Sequence, residues 1–175
     1  MTQARPYRVG LVCLGNICRS PMAAVVLATK LRDKGLDDRI AVDSSGTGDW
    51  HIGEPMDPRA AAQLKAEGYD GTWHRAQQFD ATWFDSYDLL LAMDDSNAAE
   101  LHRQARHEID RGRIRRFRDF DPRATDADRS VPDPWYGDSD GFAEVFAIVE
   151  RTADALVDTL AADVSRRDRT TATQE

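Results

Sequence analysis

The sequence predicts an α/β protein of three layers, a small doubly wound sheet of about four parallel strands with helices on both faces. Short apolar runs alternate with amphipathic stretches along the chain, the order that right-handed βαβ units require. The run from Tyr87 to Met93 is nearly all apolar, as in a central parallel strand covered on both faces. No repeat, linker or low-complexity segment divides the 175 residues, a length sufficient for one continuous core. A single domain is therefore expected over residues 1–162, with a disordered polar tail at 163–175.

Each element has a local reason. Tyr7 to Cys13 is an apolar strand that runs into a turn at Gly15. Ser20 is placed as an N-cap and Pro21 as the first helical residue, where its missing N–H costs nothing. Ala23, Ala24, Val26, Leu27 and Leu31 then recur at helical spacing up to Gly35. Ile40 to Ser45 reads as a second strand, closed by Gly46-Thr47-Gly48 and a loop carrying Trp50 and His51. Asp57-Pro58 opens a helix to Glu67 that stops at Gly68. After the Tyr87 to Met93 strand, Asp94-Asp95-Ser96-Asn97 caps a helix over Ala98 to His107. Ile114 to Phe117 is a weak last strand interrupted by arginines. Phe120 to Gly141 carries three prolines and many aspartates and reads as a long surface loop, a kind of loop that is usually functional. Phe142 to Leu160 closes the fold as an amphipathic helix.

Composition narrows the function. Hydrophobic content of 41% and charged content of 31% are ordinary for a globular protein. A net charge of -8 argues against general nucleic-acid binding, which needs accessible Lys and Arg to displace counterions. No window suits a membrane span or a signal peptide, so a cytoplasmic protein is expected. Two cysteines with four residues between them make neither a disulfide framework nor a four-ligand zinc site, and no metal or cofactor is expected. The sequence does not encode a readable oligomeric state, and a monomer is the default.

The chemistry concentrates at the first strand-to-helix junction, Cys13-Leu14-Gly15-Asn16-Ile17-Cys18-Arg19-Ser20-Pro21. N–H groups in such a turn and first helical turn lack intrachain acceptors, and the helix dipole adds partial positive charge, so residues 14–20 form an anion cradle. A thiol on its rim is pushed toward the nucleophilic thiolate. An arginine at Arg19 can grip a tetrahedral oxyanion through two parallel bonds. No Gly-Lys-Ser/Thr follows, so this is not a Walker loop. In parallel sheets, ligands bind outside the carboxyl ends of the strands, where Cys13 falls.

Beyond Val12 to Pro21 the chain carries, in order, Asp43-Ser44, Asp49-Trp50, Asp57-Pro58-Arg59-Ala60, Met93-Asp94 with Ser96-Asn97, and Asp133-Pro134-Trp135-Tyr136-Gly137. With these motifs it resembles, from Arg8 to Leu160, the low-molecular-weight protein tyrosine phosphatases. The resemblance implies that Cys13 attacks phosphorus to give a cysteinyl-phosphate, that Arg19 binds the phosphoryl oxygens, and that Asp133 is general acid and then base. The residues alone do not separate Asp133 from Asp121, Asp126, Asp128, Asp138 or Asp140 as proton donor. The resemblance also implies a hydrogen-bonded network of Asn16, Ser20, Ser44 and His74 that supports the loop. Trp50, Trp135 and Tyr136 are candidate walls of a slot for a phenyl ring. The family commonly has two tyrosines where this chain has Trp135 and Tyr136. Cys18 either packs inside the loop or guards Cys13 as a reversible disulfide.

The expected partners are phosphotyrosine proteins, with phosphate or another oxyanion as product or inhibitor. An arsenate reductase of the same fold is the first rival, weakened because no cysteine follows Cys18. A non-catalytic phosphate-binding or redox module is the second, and Asp133 argues against it because binding alone needs no acid.

Overall fold

A computed structural model describes residues 5–172. Strands β1 (Tyr7–Cys13), β2 (Ile40–Gly46), β3 (Leu89–Ala92) and β4 (Ile114–Arg116) form one parallel sheet in the order β2-β1-β3-β4. The helices are α1 (Arg19–Asp33), α2 (Pro58–Ala66), α3 (Trp83–Ser86), α4 (Asp95–Gln104), α5 (Glu108–Gly112) and α6 (Ser139–Ala172). The doubly wound parallel sheet expected from the sequence is the one observed. The chain leaves β1 in one direction to β2 and returns across it to β3, and this switch opens a crevice at the carboxyl end of β1.

The pleat divides the core in two. Val9, Leu11 and Cys13 point, with Leu89, Leu91 and Met93, into a cluster shared with Met22 and Val26 of α1 and Phe146 and Val149 of α6. Val12, Leu90 and Ala92 point the other way, against Phe84, Leu101 and Ile114. Leu11 is fully buried, so truncating it to Ala should cost about 2–5 kcal/mol through lost transfer energy and the cavity left behind. At Gly10 a Cβ would stand 2.8 Å from Leu90 Cδ2 and 3.2 Å from the Trp83 ring. Glycine there lets the second layer close onto β1.

Several boundaries differ from expectation. The tail expected to be disordered at 163–175 is corrected over 163–172, because α6 runs 34 residues to Ala172; residues 173–175 lie outside the described region. Polar composition conceals the anchors that hold this end as helix: Val164 is buried, Arg39 pairs with Asp168, and Arg167 reaches Asp88 at 3.9 Å. Ser20 is not the cap of α1, which starts at Arg19 behind Cys18, two residues earlier than expected, and has no side-chain cap. The helix expected at 98–107 starts at Asp95 and ends at Gln104, and His107 caps the separate α5. The four-residue α3 is too short to leave a periodic signal, and its Trp83 stacks on Tyr87 at 4.2 Å. Among the described residues no helix is long and apolar enough to cross a membrane.

Candidate active site

The loop after β1 is held open by its neighbours. Thr47 and Gly48 donate their N–H groups to the carbonyls of Cys13 and Leu14, each at 2.9 Å. That approach needs Gly46, where a Cβ would stand 2.6 Å from the Leu14 oxygen. Asn16 turns the loop in the left-handed conformation with φ 56°, a region Asn tolerates better than most residues. The N–H groups of Gly15, Ile17, Cys18, Arg19 and Ser20 meet no acceptor among the described residues, as an anion cradle requires.

Cys13, buried, lies at the base of this cradle. Its Sγ is 2.9 Å from Ser20 Oγ and accepts from the Asn16 N–H at 3.3 Å. The Asn16 side chain, itself fully buried, donates to Ser20 Oγ at 2.8 Å and Ser44 Oγ at 2.9 Å. Its Oδ1 accepts from the Gln77 N–H at 2.9 Å. His74 Nε2 meets the Asn16 carbonyl at 2.7 Å. Burial lowers the pKa of His74, favouring the neutral ring that donates this bond. The four network residues expected from the resemblance are thus in contact, and Gln77 joins them; no motif in the sequence marked it.

Arg19 is buried with its guanidinium between two carboxylates. NH1 donates to Asp94 Oδ2 at 2.6 Å and to the Val131 carbonyl at 3.1 Å, and NH2 reaches Asp133 Oδ2 at 3.5 Å. Burial works against its charge, but Cys13, Asp94 and Asp133 together hold its pKa above the ordinary arginine value. In the sequence Asp94 is only part of a matched motif and a helix cap; the fold makes it the closest partner of Arg19.

Four of the other five loop acids have partners elsewhere. Asp121 pairs with Arg118 at 3.0 Å and Arg151 at 2.7 Å. Asp126 pairs with Arg129 at 2.9 Å, and Asp128 with Arg118 at 2.8 Å. Asp138 accepts from the Asp140 N–H at 3.1 Å. Asp133 alone among these six approaches Arg19, and its Oδ1 accepts from the Trp135 N–H at 3.1 Å.

A cavity of about 250 Å³ stands over Cys13 and is bounded by Leu14, Trp50, His51, Trp135 and Tyr136, with Asp133 at its edge. An apolar cavity of roughly 150 Å³ accepts benzene, so a phenyl ring carrying a tetrahedral group has room. All three expected aromatic residues line it, but from the rim: Trp50 is 65% exposed, Trp135 41% and Tyr136 90%. His51, noted in the sequence only as a loop residue, adds a fourth ring 5.9 Å from Trp135 and is held by Glu54 at 2.7 Å. Cys18 is buried in the loop wall, where desolvation first and then Asp57 and Cys13 push its thiol pKa up.

Similarity to known proteins agrees with this geometry. The sequence model described as "Low molecular weight phosphotyrosine protein phosphatase" matches residues 8–166. Low molecular weight protein-tyrosine phosphatase A of Mycobacterium tuberculosis is 47% identical over 153 residues, covering 87% of this chain and 91% of that protein. The crystal structure of an Entamoeba histolytica protein tyrosine phosphatase with Hepes in its active site superposes with a TM-score of 0.84 at 31% identity, over 90% of this chain and 98% of that one. Vibrio vulnificus Wzb in complex with benzylphosphonate superposes with a TM-score of 0.75 at 26% identity, over 87% and 98%. A match spanning nearly the whole domain, in sequence and in fold, leaves one assignment: the chain belongs to the low molecular weight phosphotyrosine protein phosphatase family.

Proposed function

We propose that the protein hydrolyses phosphotyrosine, and small aryl phosphates, in two displacements at Cys13. The observation that carries this reading is the meeting of Arg19 with Asp133 at 3.5 Å beside the cysteine loop. It brings an oxyanion grip and a proton donor to one cavity from positions 114 residues apart.

In the first step the Cys13 sulfur forms a bond to phosphorus while the bond to the tyrosyl oxygen breaks. Asp133 gives its proton to that oxygen, because a phenolate, with a conjugate-acid pKa near 10, leaves poorly without one. In the second step the Asp133 carboxylate takes a proton from water, the water oxygen bonds to phosphorus, and the sulfur departs as thiolate with phosphate released. Arg19 and the loop N–H groups hold the three equatorial oxygens, where charge accumulates in the transition state. Ser20 and the Asn16 N–H, both at the sulfur, support the leaving thiolate in that second step. None of these steps uses a metal or a cofactor.

The aromatic rim supports selection of phosphotyrosine over phosphoserine, whose shorter side chain would leave phosphorus above the loop. In the same reading the protein acts as a cytoplasmic monomer. Cys18 serves as a redox guard: peroxide oxidises Cys13 to sulfenic acid, and the Cys18 sulfur displaces water from it to form a disulfide. The deciding experiment pairs Cys13→Ser with Asp133→Ala. The first should abolish aryl-phosphate turnover and retain oxyanion binding. The second should slow cysteinyl-phosphate formation and trap bound phosphotyrosine substrate. Full activity of Asp133→Ala toward phosphotyrosine would refute the acid assignment.

A further inference from the structure

We propose that Arg59 is a positioning residue for the proton donor, a clamp that fixes the Asp133 loop against the phosphate loop. The inference rests on Asp133 being the acid of the proposed reaction. It concerns a residue outside the cavity wall, at the start of α2.

Arg59 uses its planar fork in two directions. Toward its own helix, Nε donates to Asp57 Oδ1 at 3.1 Å and NH2 to Asp57 Oδ2 at 3.0 Å. Toward the acid loop, NH1 donates to the Trp135 and Gly137 carbonyls, each at 3.3 Å, and NH2 reaches the Trp135 carbonyl at 3.4 Å. The guanidinium also lies 4.7 Å from the Phe142 ring centroid and 5.5 Å from that of Trp135, within cation-π range. An ordinary surface ion pair has no such second set of partners.

Both ends of the clamp lead to reacting groups. The Asp57 side chain is buried, and the backbone N–H of Asp57 donates to the Ile17 carbonyl of the phosphate loop at 2.9 Å. At the other end, Arg59 holds the Trp135 carbonyl while the N–H of the same residue holds Asp133 Oδ1 at 3.1 Å. The order is phosphate loop, Asp57, Arg59, Trp135, Asp133. Without the fork the acid loop loses its lateral anchor. Asp57 still caps α2 through the Arg59 N–H at 2.8 Å, so the phosphate loop keeps its support. Misplacing a proton donor by about 1 Å is enough to cost about a hundredfold in rate.

The test is the dependence of kcat/KM on leaving-group acidity, measured with Arg59→Met over a series from phenyl phosphate to dinitrophenyl phosphate. An acidic leaving group needs no proton, so a displaced acid penalises phenyl phosphate selectively. The loss for phenyl phosphate should exceed that for dinitrophenyl phosphate by about tenfold or more. Arg59→Lys keeps the charge but not the fork and should show the same skew in smaller degree. Orthovanadate affinity and the melting temperature, measured on the same samples, report the phosphate loop and the fold. Equal losses across the series, or no loss, would overturn the clamp. Asp133→Ala run beside them separates the two readings: a skew there and none in the Arg59 variants refutes the clamp alone, whereas a flat series for Asp133→Ala refutes the acid assignment beneath it.

Discussion

Arg19 donates to Asp94 Oδ2 at 2.6 Å, while the other oxygen of that carboxylate caps α4 through the Asn97 N–H at 2.7 Å. One aspartate at the end of β3 thus fixes both a helix and the oxyanion-binding arginine. Asp94→Asn keeps the cap and removes the charge that orients Arg19. It should lower kcat/KM for aryl phosphates by about tenfold. Asp94→Ala should match that loss and also melt about 1 kcal/mol less stable, from the missing cap. Steady-state kinetics beside urea denaturation check both, and unchanged kinetics in Asp94→Asn would reduce Asp94 to a cap.

Replacing Arg19 with Lys preserves the charge and removes the second parallel donor. kcat/KM should fall by about two to three orders of magnitude, the scale of losing a preorganised oxyanion donor. A variant within a few-fold of the parent would mean that charge alone suffices.

Asn16 combines a left-handed backbone with three side-chain hydrogen bonds. Asn16→Gly keeps the backbone freely accessible and loses the bonds, at about 2–3 kcal/mol. Asn16→Ala adds strain of about 1–2 kcal/mol at φ 56°. Denaturant midpoints of the two variants separate the network from the turn, and equal midpoints would place the whole effect in the bonds.

His74 gives stability a pH dependence. Burial lowers its folded pKa below the ordinary value of 6.5, so the unfolded chain binds the proton first as pH falls. Its contribution is complete above about pH 6.5 and is lost progressively as pH falls from there to the folded pKa. The stability difference between the parent and His74→Gln should shrink over that window and level off below it. A difference that is flat from pH 7.5 to 5 in urea melts would contradict this.

Cys18 is a protonated, buried thiol at rest, its pKa pushed up by desolvation, so it does not compete with Cys13 at phosphorus. After peroxide treatment, mass spectrometry should find a Cys13–Cys18 disulfide and dithiothreitol should restore activity. Cys18→Ser should instead accumulate irreversible sulfinic acid on Cys13. Sulfinic acid in the parent protein, with no disulfide, would remove Cys18 from any protective role.

Much of the site was legible because it is local. Cys13 to Pro21 is one strand-to-helix turn, and its Gly, Asn, Cys and Arg carry their chemistry wherever such a turn lies. In the sequence Asp133 is only one of six loop acids; the fold brings it beside Arg19, commits Asp121, Asp126 and Asp128 to Arg118, Arg129 and Arg151, and turns Asp138 onto its own loop. Gln77 and His51 carry no motif that marks a role, since one acts through its N–H on Asn16 and its side-chain amide on the Ser44 carbonyl, and the other by standing near Trp135. The polar end of α6 misled because composition does not report the ion pairs and the buried Val164 that hold it.

The sequence by itself determined the alternating strands and helices, the parallel sheet and the anion cradle after β1. All of these follow from hydrophobic period, caps and turn residues within a few positions of one another. Tertiary structure decided which carboxylate faces Arg19, which residues rim the cavity, and how Arg59 bridges the two loops. Those contacts join positions 75 to 114 residues apart. They arise because packing the two cores brings β1, β3 and the Asp133 loop to one end of the sheet, a pairing no local pattern encodes.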